Sequence, residues 1–160
     1  MLGTSPINSN HIYWQTPKSG HWGDASFGLK EILEWYKIEL DVCAEDRLQS
    51  CCDHFLTEAE TYEWPWDENW IMNPPWETEV LTELVRRGLD QCITHHVIGV
   101  CILPSYTGTP WFHDLLYDAG ATIIPIRGRM KYWQDGQPYP GSPNVDSILA
   151  VYNYAKLEVK

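Results

Sequence analysis

No stretch of the chain approaches the roughly 20 apolar residues that a membrane-spanning helix needs, and there is no internal repeat or low-complexity tract. A helical membrane protein, a solenoid and a disordered linker are thereby set aside. Basic residues are scarce: 11 Lys and Arg stand against 22 Asp and Glu, a net charge of −11 with a pI near 4.8. Acidic proteins are poor general polyanion binders. A nucleic-acid reading therefore needs a local basic patch, or weak binding that falls steeply with salt. Met1 to Asn10 lacks a basic region followed by an apolar run, so no signal peptide is expected and a cytoplasmic location is the simplest expectation. The five cysteines (Cys43, Cys51, Cys52, Cys92, Cys101) are odd in number and lack a regular spacing, which argues against a secreted disulfide scaffold. Adjacent Cys51 and Cys52 do not make a Cys-x-x-Cys pair. With His54 they leave a metal site open, but no metal is expected, and buried reduced thiols are the favoured reading.

What remains is a chain of 160 residues, 44 % hydrophobic and unusually rich in tryptophan, with nine. That length buries a core without disulfides or a metal and predicts one domain, over 13–160, after a loose polar arm over 1–12. An aromatic, Gly- and Pro-containing loop follows the arm. Ser26 to Trp35 reads as a helix with Ser26 as its cap. Tyr36 to Val42 reads as a strand, 44–53 as a short helix or turn, His54 to Thr57 as a short strand, and Thr61 to Asn69 as an acidic loop. Trp70-Ile71-Met72 is a brief apolar run stopped by prolines, as expected of a buried strand entering a rigid turn. Glu77 to Gln91 is the clearest helix, with Val80, Leu81, Leu84, Val85 and Leu89 on one face. His96 to Leu103 is a continuous apolar run, expected of a central strand covered on both faces. Thr109-Pro110 opens a helix that Gly120 closes. Ala121 to Arg127 and Ser147 to Tyr154 are further strands, separated by the Gly- and Pro-rich turn 136–144. The alternation predicts an α/β fold with a mostly parallel sheet and an antiparallel edge made by the closing pair. Ligands of such sheets bind outside the carboxyl ends of the strands, where this reading puts Asp41 and Asn73.

Asn73-Pro74-Pro75-Trp76 is the strongest chemical signal. At average residue usage it arises by chance in about one chain in a thousand of this size. That makes a bare polyproline turn the weaker reading. The exocyclic amine of adenine is a poor nucleophile because its lone pair is delocalised into the ring. An Asn side-chain oxygen accepts one of its N–H groups and a Pro main-chain carbonyl the other. Both pull the amine toward tetrahedral geometry and free the lone pair. Proline's fixed φ holds the carbonyl in place. An aromatic side chain at the fourth position stacks on the extruded base, worth about 1–3 kcal/mol, and offsets part of the cost of unstacking it.

From Trp14 to Tyr152 the chain resembles the phage-type DNA N-6-adenine methyltransferases. The resemblance rests on Trp14-Gln15-Thr16-Pro17, Leu40-Asp41-Val42-Cys43-Ala44, Asn73-Pro74-Pro75-Trp76, Thr109-Pro110-Trp111-Phe112 and Gly128-Arg129, in that order. It implies a Rossmann-like, S-adenosylmethionine-dependent methyltransferase fold, a DNA adenine target, and a phage or prophage product acting in a bacterial cytoplasm. Asn73, Pro74, Pro75 and Trp76 are then the catalytic set. Leu40 to Ala44 takes the place of the first cofactor loop, with Asp41, Cys43 and Ala44 as cofactor residues together with Asn73. Trp14, Thr16 and Pro17 match a segment that closes over the same part of the cofactor. Glu58 lies 17 residues after Asp41, near the spacing of an acidic ribose-binding residue, with a solvated carboxylate as the plainer reading. The chain departs from many methyltransferases in carrying Ala44-Glu45-Asp46 where a Gly-x-Gly is common.

Arg127, Arg129 and Lys131 alternate at period two and share a strand face with Trp133, the best candidate for a nucleic-acid contact. Arg86 and Arg87 read as solvated surface. Trp22, Trp35, Trp64, Trp66, Trp70 and Trp111 read as packing residues, with Trp64 and Trp66 near enough to the catalytic strand to line a cleft. Two other functions compete with DNA methylation. One is RNA adenine-N6 methylation, because Asn-Pro-Pro-Trp resembles the Asp-Pro-Pro-Trp of the mRNA-methylating family. The other is a non-catalytic acidic binding protein that keeps the fold.

Overall fold

The computed structural model describes residues 12–13, 29–44, 50–126, 131–134, 137–138 and 145–157, the side chains being described for 31–44, 50–126 and 145–157. The chain runs β1 (Ile12–Tyr13), α1 (Leu29–Trp35), β2 (Leu40–Asp41), β3 (His54–Phe55), α2 (Glu58–Glu63), β4 (Trp70–Met72), α3 (Thr78–His95), β5 (Ile98–Pro104), α4 (Pro110–Phe112), β6 (Thr122–Pro125), β7 (Lys131–Gln134), β8 (Gln137–Pro138) and β9 (Ser147–Asn153). A six-stranded mixed sheet carries the order β3-β2-β4-β5-β9-β6, and a three-stranded sheet pairs β1 with β7 and β7 with β8. The pairing of β1 begins at Ile12, the last residue of the expected arm.

Strands β3, β2, β4 and β5 are parallel neighbours. From β2 the chain steps outward to β3 on one side and returns to β4 on the other. The order therefore reverses between β2 and β4, the kind of switch point where open α/β sheets leave a crevice at the carboxyl ends of the strands.

The closing pair is antiparallel and forms one edge of the sheet, with β6 outermost. β9 lies between β5 and β6 and is antiparallel to both. Its first six residues are all buried, whereas β6 is exposed at both ends. A strand covered on both faces belongs inside a sheet, so the apolar run Ser147 to Tyr152 takes the interior place and the less apolar β6 takes the edge.

Two apolar clusters cover the faces. Trp66, Trp70, Met72, Leu84, Leu103 and Tyr152 belong to one, under α3. Ile32, Ile71, Val100, Ile102, Leu149 and Val151 belong to the other, under α1. The indole of Trp70 occupies space that only glycine leaves open: a Cβ at Gly99 would stand 2.1 Å from it and one at Gly88 2.7 Å. Trp66 meets it edge-on at 5.1 Å. Asn69 ties the opposite, amino end of the sheet. Its main-chain carbonyl accepts from Glu39 and Leu40, and its side chain donates to Tyr36 O and accepts from Ile98 N.

Several expected elements change shape. The strand expected from Tyr36 is confined to Leu40–Asp41, because Lys37 turns the chain with φ 52°. Thr61 to Asn69 is not all loop. Glu60 accepts hydrogen bonds from the Thr57 N–H and hydroxyl at 2.9 and 3.0 Å, and this starts α2. α3 runs past Gln91 to His95 and ends on His96 in the left-handed conformation, φ 56°. The helix begun by Thr109-Pro110 becomes π-helical over His113–Tyr117, where Asp118 N–H reaches back to His113 O at 2.8 Å. Among the tryptophans, Trp35 is 74 % exposed and not a core residue. No helix among the described residues is long and apolar enough to cross a membrane.

Candidate active site at the carboxyl ends of β2 and β4

Asp41 ends β2 and Asn73 follows β4, on adjacent parallel strands. The loop after β2 is held from three sides. Val42 N–H donates to Ile71 O at 3.1 Å. The Thr61 hydroxyl lies 2.6 Å from Val42 O and 2.8 Å from Thr57 O. The Asp41 carboxylate accepts from Cys43 N–H at 3.1 Å and from Cys51 N–H at 3.2 Å, with the Cys51 thiol 3.5 Å away. Asp41 is 3 % exposed, and burial pushes its pKa up to about 6 against the lowering effect of those hydrogen bonds. Cys43 and Ala44 are fully buried, main chain included, and the Cys43 N–H is taken by Asp41.

Asn73 is 3 % exposed and its amide oxygen is buried. Pro74 and Pro75 are buried, and Trp76 is half-buried against the α3-side cluster. The indole N–H of Trp76 is buried and makes no hydrogen bond among the described residues. Here the strand ends because proline cannot continue the ladder, and α3 starts directly after, at Thr78. Glu58 is the first residue of α2, just beyond β3, which pairs with β2. Asp41, Asn73 and Glu58 thus stand at one end of three neighbouring strands. Trp14, Thr16, Pro17, Arg127 and Arg129 lie outside the described residues, and Lys131 is described only as part of β7.

The Cys51–Cys52 pair adjoins Asp41 through Cys51. All five cysteines are free thiols, three of them buried. Cys51 and Cys52 are 3.8 Å apart at sulfur and line an open groove of about 570 Å³ with Ile38, Glu39 and Asp53. Glu39 and Asp53 precede β2 and β3, so this groove opens by the amino ends of those strands. Cys51 is held protonated by its hydrogen bond with Cys52, by burial and by the neighbouring Asp41 charge. Burial likewise raises the Cys43 and Cys101 thiols and pushes Cys92 up to about 12. Thiols so held are poor nucleophiles. No cluster of three metal-ligating groups occurs among the described residues, and His54 is engaged with Glu68 at 2.8 Å.

Two residues that position the site escape a reading of the sequence. Thr61 anchors the β2 loop from α2. Arg87 is not free surface: its Nε donates to Thr61 O at 2.8 Å and its Nη2 to Trp64 O at 2.7 Å, and it lies 5.3 Å above the Trp66 ring. Trp66 itself is fully buried and lines no cleft, while Trp64 is 54 % exposed. The capping box Thr57-x-x-Glu60 was the signal available for α2, and with α2 in place an inward Thr61 follows.

The family model for DNA N-6-adenine-methyltransferase (Dam) matches residues 4–155. The chain belongs to this family. The match spans nearly the whole chain and includes the Asn73 motif, the β2 loop and the basic stretch over 127–131. Membership implies adenine-N6 methylation of DNA as the general activity. No curated protein and no solved structure matches the chain.

Proposed function

We propose that the protein transfers a methyl group from S-adenosylmethionine to the N6 amine of adenine in DNA, through one Rossmann-like methyltransferase domain over 13–160 that follows an arm over 1–12. The observation that carries this reading is the meeting of Asn73-Pro74-Pro75-Trp76 and Asp41 at the switch point between β2 and β4, in a chain matched over 4–155 by the Dam family.

The residues at this end fit the cofactor by their chemistry. Asp41 provides buried negative charge beside the β2 loop, which suits a sulfonium cation. Cys43 and Ala44 stand by the methionine part by their family positions, in a loop that Asp41 and Thr61 hold. Glu58, at the end of the neighbouring strand, offers a carboxylate for ribose hydroxyls. Trp14, Thr16 and Pro17 complete this side by their family positions. The bound cofactor supplies an electrophilic methyl group.

On the acceptor side Asn73 Oδ1 takes one N–H of the adenine amine and the Pro74 carbonyl takes the other. The lone pair is then localised on nitrogen and directed along one line. The two prolines fix that direction before the base arrives, so little reorganisation accompanies the reaction. The Trp76 ring stacks on the base drawn out of the duplex. Arg127, Arg129 and Lys131 hold phosphates, a local basic patch in an otherwise acidic protein. The low number of cations keeps DNA binding weak.

Transfer of labelled methyl groups from S-adenosylmethionine, with duplex DNA and RNA in competition, tests the reading. Label in DNA adenine supports it. Label in RNA alone makes this an RNA methyltransferase. Absence of label from both, with no retention of cofactor in equilibrium dialysis, leaves a binding protein on the same fold.

A further inference from the structure

Four polar or charged residues are buried among the described residues: Asp41, Thr61, Asn73 and Ser147. Asp41 and Thr61 hold the β2 loop by the hydrogen bonds given above, and Asn73 heads the proposed catalytic motif. Ser147 has no such task. It is 1 % exposed, and its hydroxyl has no hydrogen-bond partner among the described residues. A buried hydroxyl left unmatched costs free energy that alanine at the same place avoids.

Its place in the fold says what it is for. Ser147 opens β9 and pairs with Pro104, the last residue of β5. Because β9 runs antiparallel, its first residue stands at the same end of the sheet as Asp41 and Asn73. Its face follows from the pleat. Leu149 and Val151 pack in the α1-side cluster with Ile71, whereas Ile148, Ala150 and Tyr152 pack in the opposite one. Ser147 therefore falls on the α1 side. Asp41, flanked by Leu40 and Val42 of the opposite cluster, falls there too. Across the carboxyl ends the polar groups run Asp41 on β2, Asn73 on β4 and Ser147 on β9, with β5 between the last two.

This order divides the site, on the reading of function proposed above. The cofactor lies toward Asp41, methyl transfer occurs at Asn73, and Ser147 is on the far, acceptor side. Asn73 is level with Ile102 and Leu149, so Ser147 lies two strand spacings across and two residues along from it, roughly 12 Å between main chains, a gap that a purine ring spans when a side chain hydrogen-bonds it at each edge. We propose that Ser147 binds the acceptor nucleotide, its hydroxyl hydrogen-bonding the adenine whose amine Asn73 holds. With both amine hydrogens taken by Asn73 and Pro74, the ring nitrogens of adenine remain as acceptors. A serine hydroxyl supplies the one donor they need.

The test uses the full chain, as wild type, Ser147→Ala and Ser147→Cys, with four readouts: melting temperature, S-adenosylmethionine retention in equilibrium dialysis, anisotropy of a labelled oligodeoxyadenylate, and methyl transfer. The proposal expects Ser147→Ala to melt at or above the wild-type temperature and to keep its cofactor affinity. It expects the oligonucleotide to be held roughly tenfold more weakly, with Ser147→Cys in between. Unchanged oligonucleotide affinity in Ser147→Ala overturns it, as does a lowered melting temperature with equal loss of both ligands. A wild type that binds the oligonucleotide but transfers no methyl group defeats the methyltransferase reading and leaves the Ser147 comparison intact. Transfer that is equal in wild type and Ser147→Ala defeats the Ser147 proposal alone, and a wild type that binds no adenine oligonucleotide defeats both.

Discussion

At the scale of single residues, Asp41 carries a cost and a purpose together. Its folded pKa of about 6 lies above the ordinary 3.8, chiefly because burial disfavours the charged form. Between those two values the folded chain holds a proton that the unfolded chain has lost, so stability falls as pH rises through this window. Above about 6 the full cost is present, on the order of 3 kcal/mol. Asp41→Asn removes the titration. Melting temperatures at pH 5 and 7.5 should show wild type gaining on Asp41→Asn at the lower pH, and an equal difference at both values contradicts the assignment. Each carboxylate oxygen receives its own N–H, from Cys43 on one and Cys51 on the other, so Asp41→Asn also loses one of these bonds at every pH. Of the site residues, the Asn73 quartet and Asp41 were legible because their types are rare in that order or fall at strand ends. Ser147 was not, because a serine at the head of an apolar run reads as the run's polar boundary. Only the pairing with Pro104 reveals that it is covered. Arg87 was misread for a related reason: its partners are the main-chain carbonyls of Thr61 in α2 and of Trp64 just after it, which no pattern of side chains announces.

The elements explain how these residues meet. Strand β4 is only three residues long, and it is held by the bulk of Trp70 between Gly88 and Gly99. Gly99→Ala forces a methyl group to within 2.1 Å of the indole and should cost about 3 kcal/mol, lowering the melting temperature by roughly 10 °C. A variant that melts within about 2 °C of wild type shows that Trp70 does not lock β4. The helix α3 and the strands β4, β5 and β9 were readable from periodicity and apolar runs, since tertiary packing and local pattern agree there. Three features were not. α2 hid in an acidic, tryptophan-rich stretch whose composition reads as loop, although Thr57-x-x-Glu60 marked its start. β2 shrank because Lys37 adopts a left-handed conformation that lysine seldom takes. The interior position of β9 within the closing pair was not legible because chain order says which strand comes last, not where it is inserted. Its six consecutive buried residues are the physical reason that it is not an edge.

For the whole molecule, the charge of −11 opposes DNA binding, and the proposed phosphate contacts are Arg127, Arg129 and Lys131. The affinity for DNA should fall as salt rises, and Arg129→Ala should flatten the slope of log affinity against log salt by about 1, the share of one phosphate contact. A slope unchanged by this substitution moves the DNA interface elsewhere. The central claim is that the switch point between β2 and β4 is an adenine-N6 methyl-transfer site headed by Asn73. Nucleoside mass spectrometry tests it most directly. Purified wild type and Asn73→Ala are incubated with S-adenosylmethionine and unmethylated duplex DNA, and the digested DNA is assayed for N6-methyladenine. The account predicts the modified nucleoside with wild type and a loss of 100-fold or more, roughly, with Asn73→Ala at an unchanged melting temperature. Equal product from both removes Asn73 from the chemistry, and no product from the wild type at low salt contradicts methyl transfer to DNA altogether.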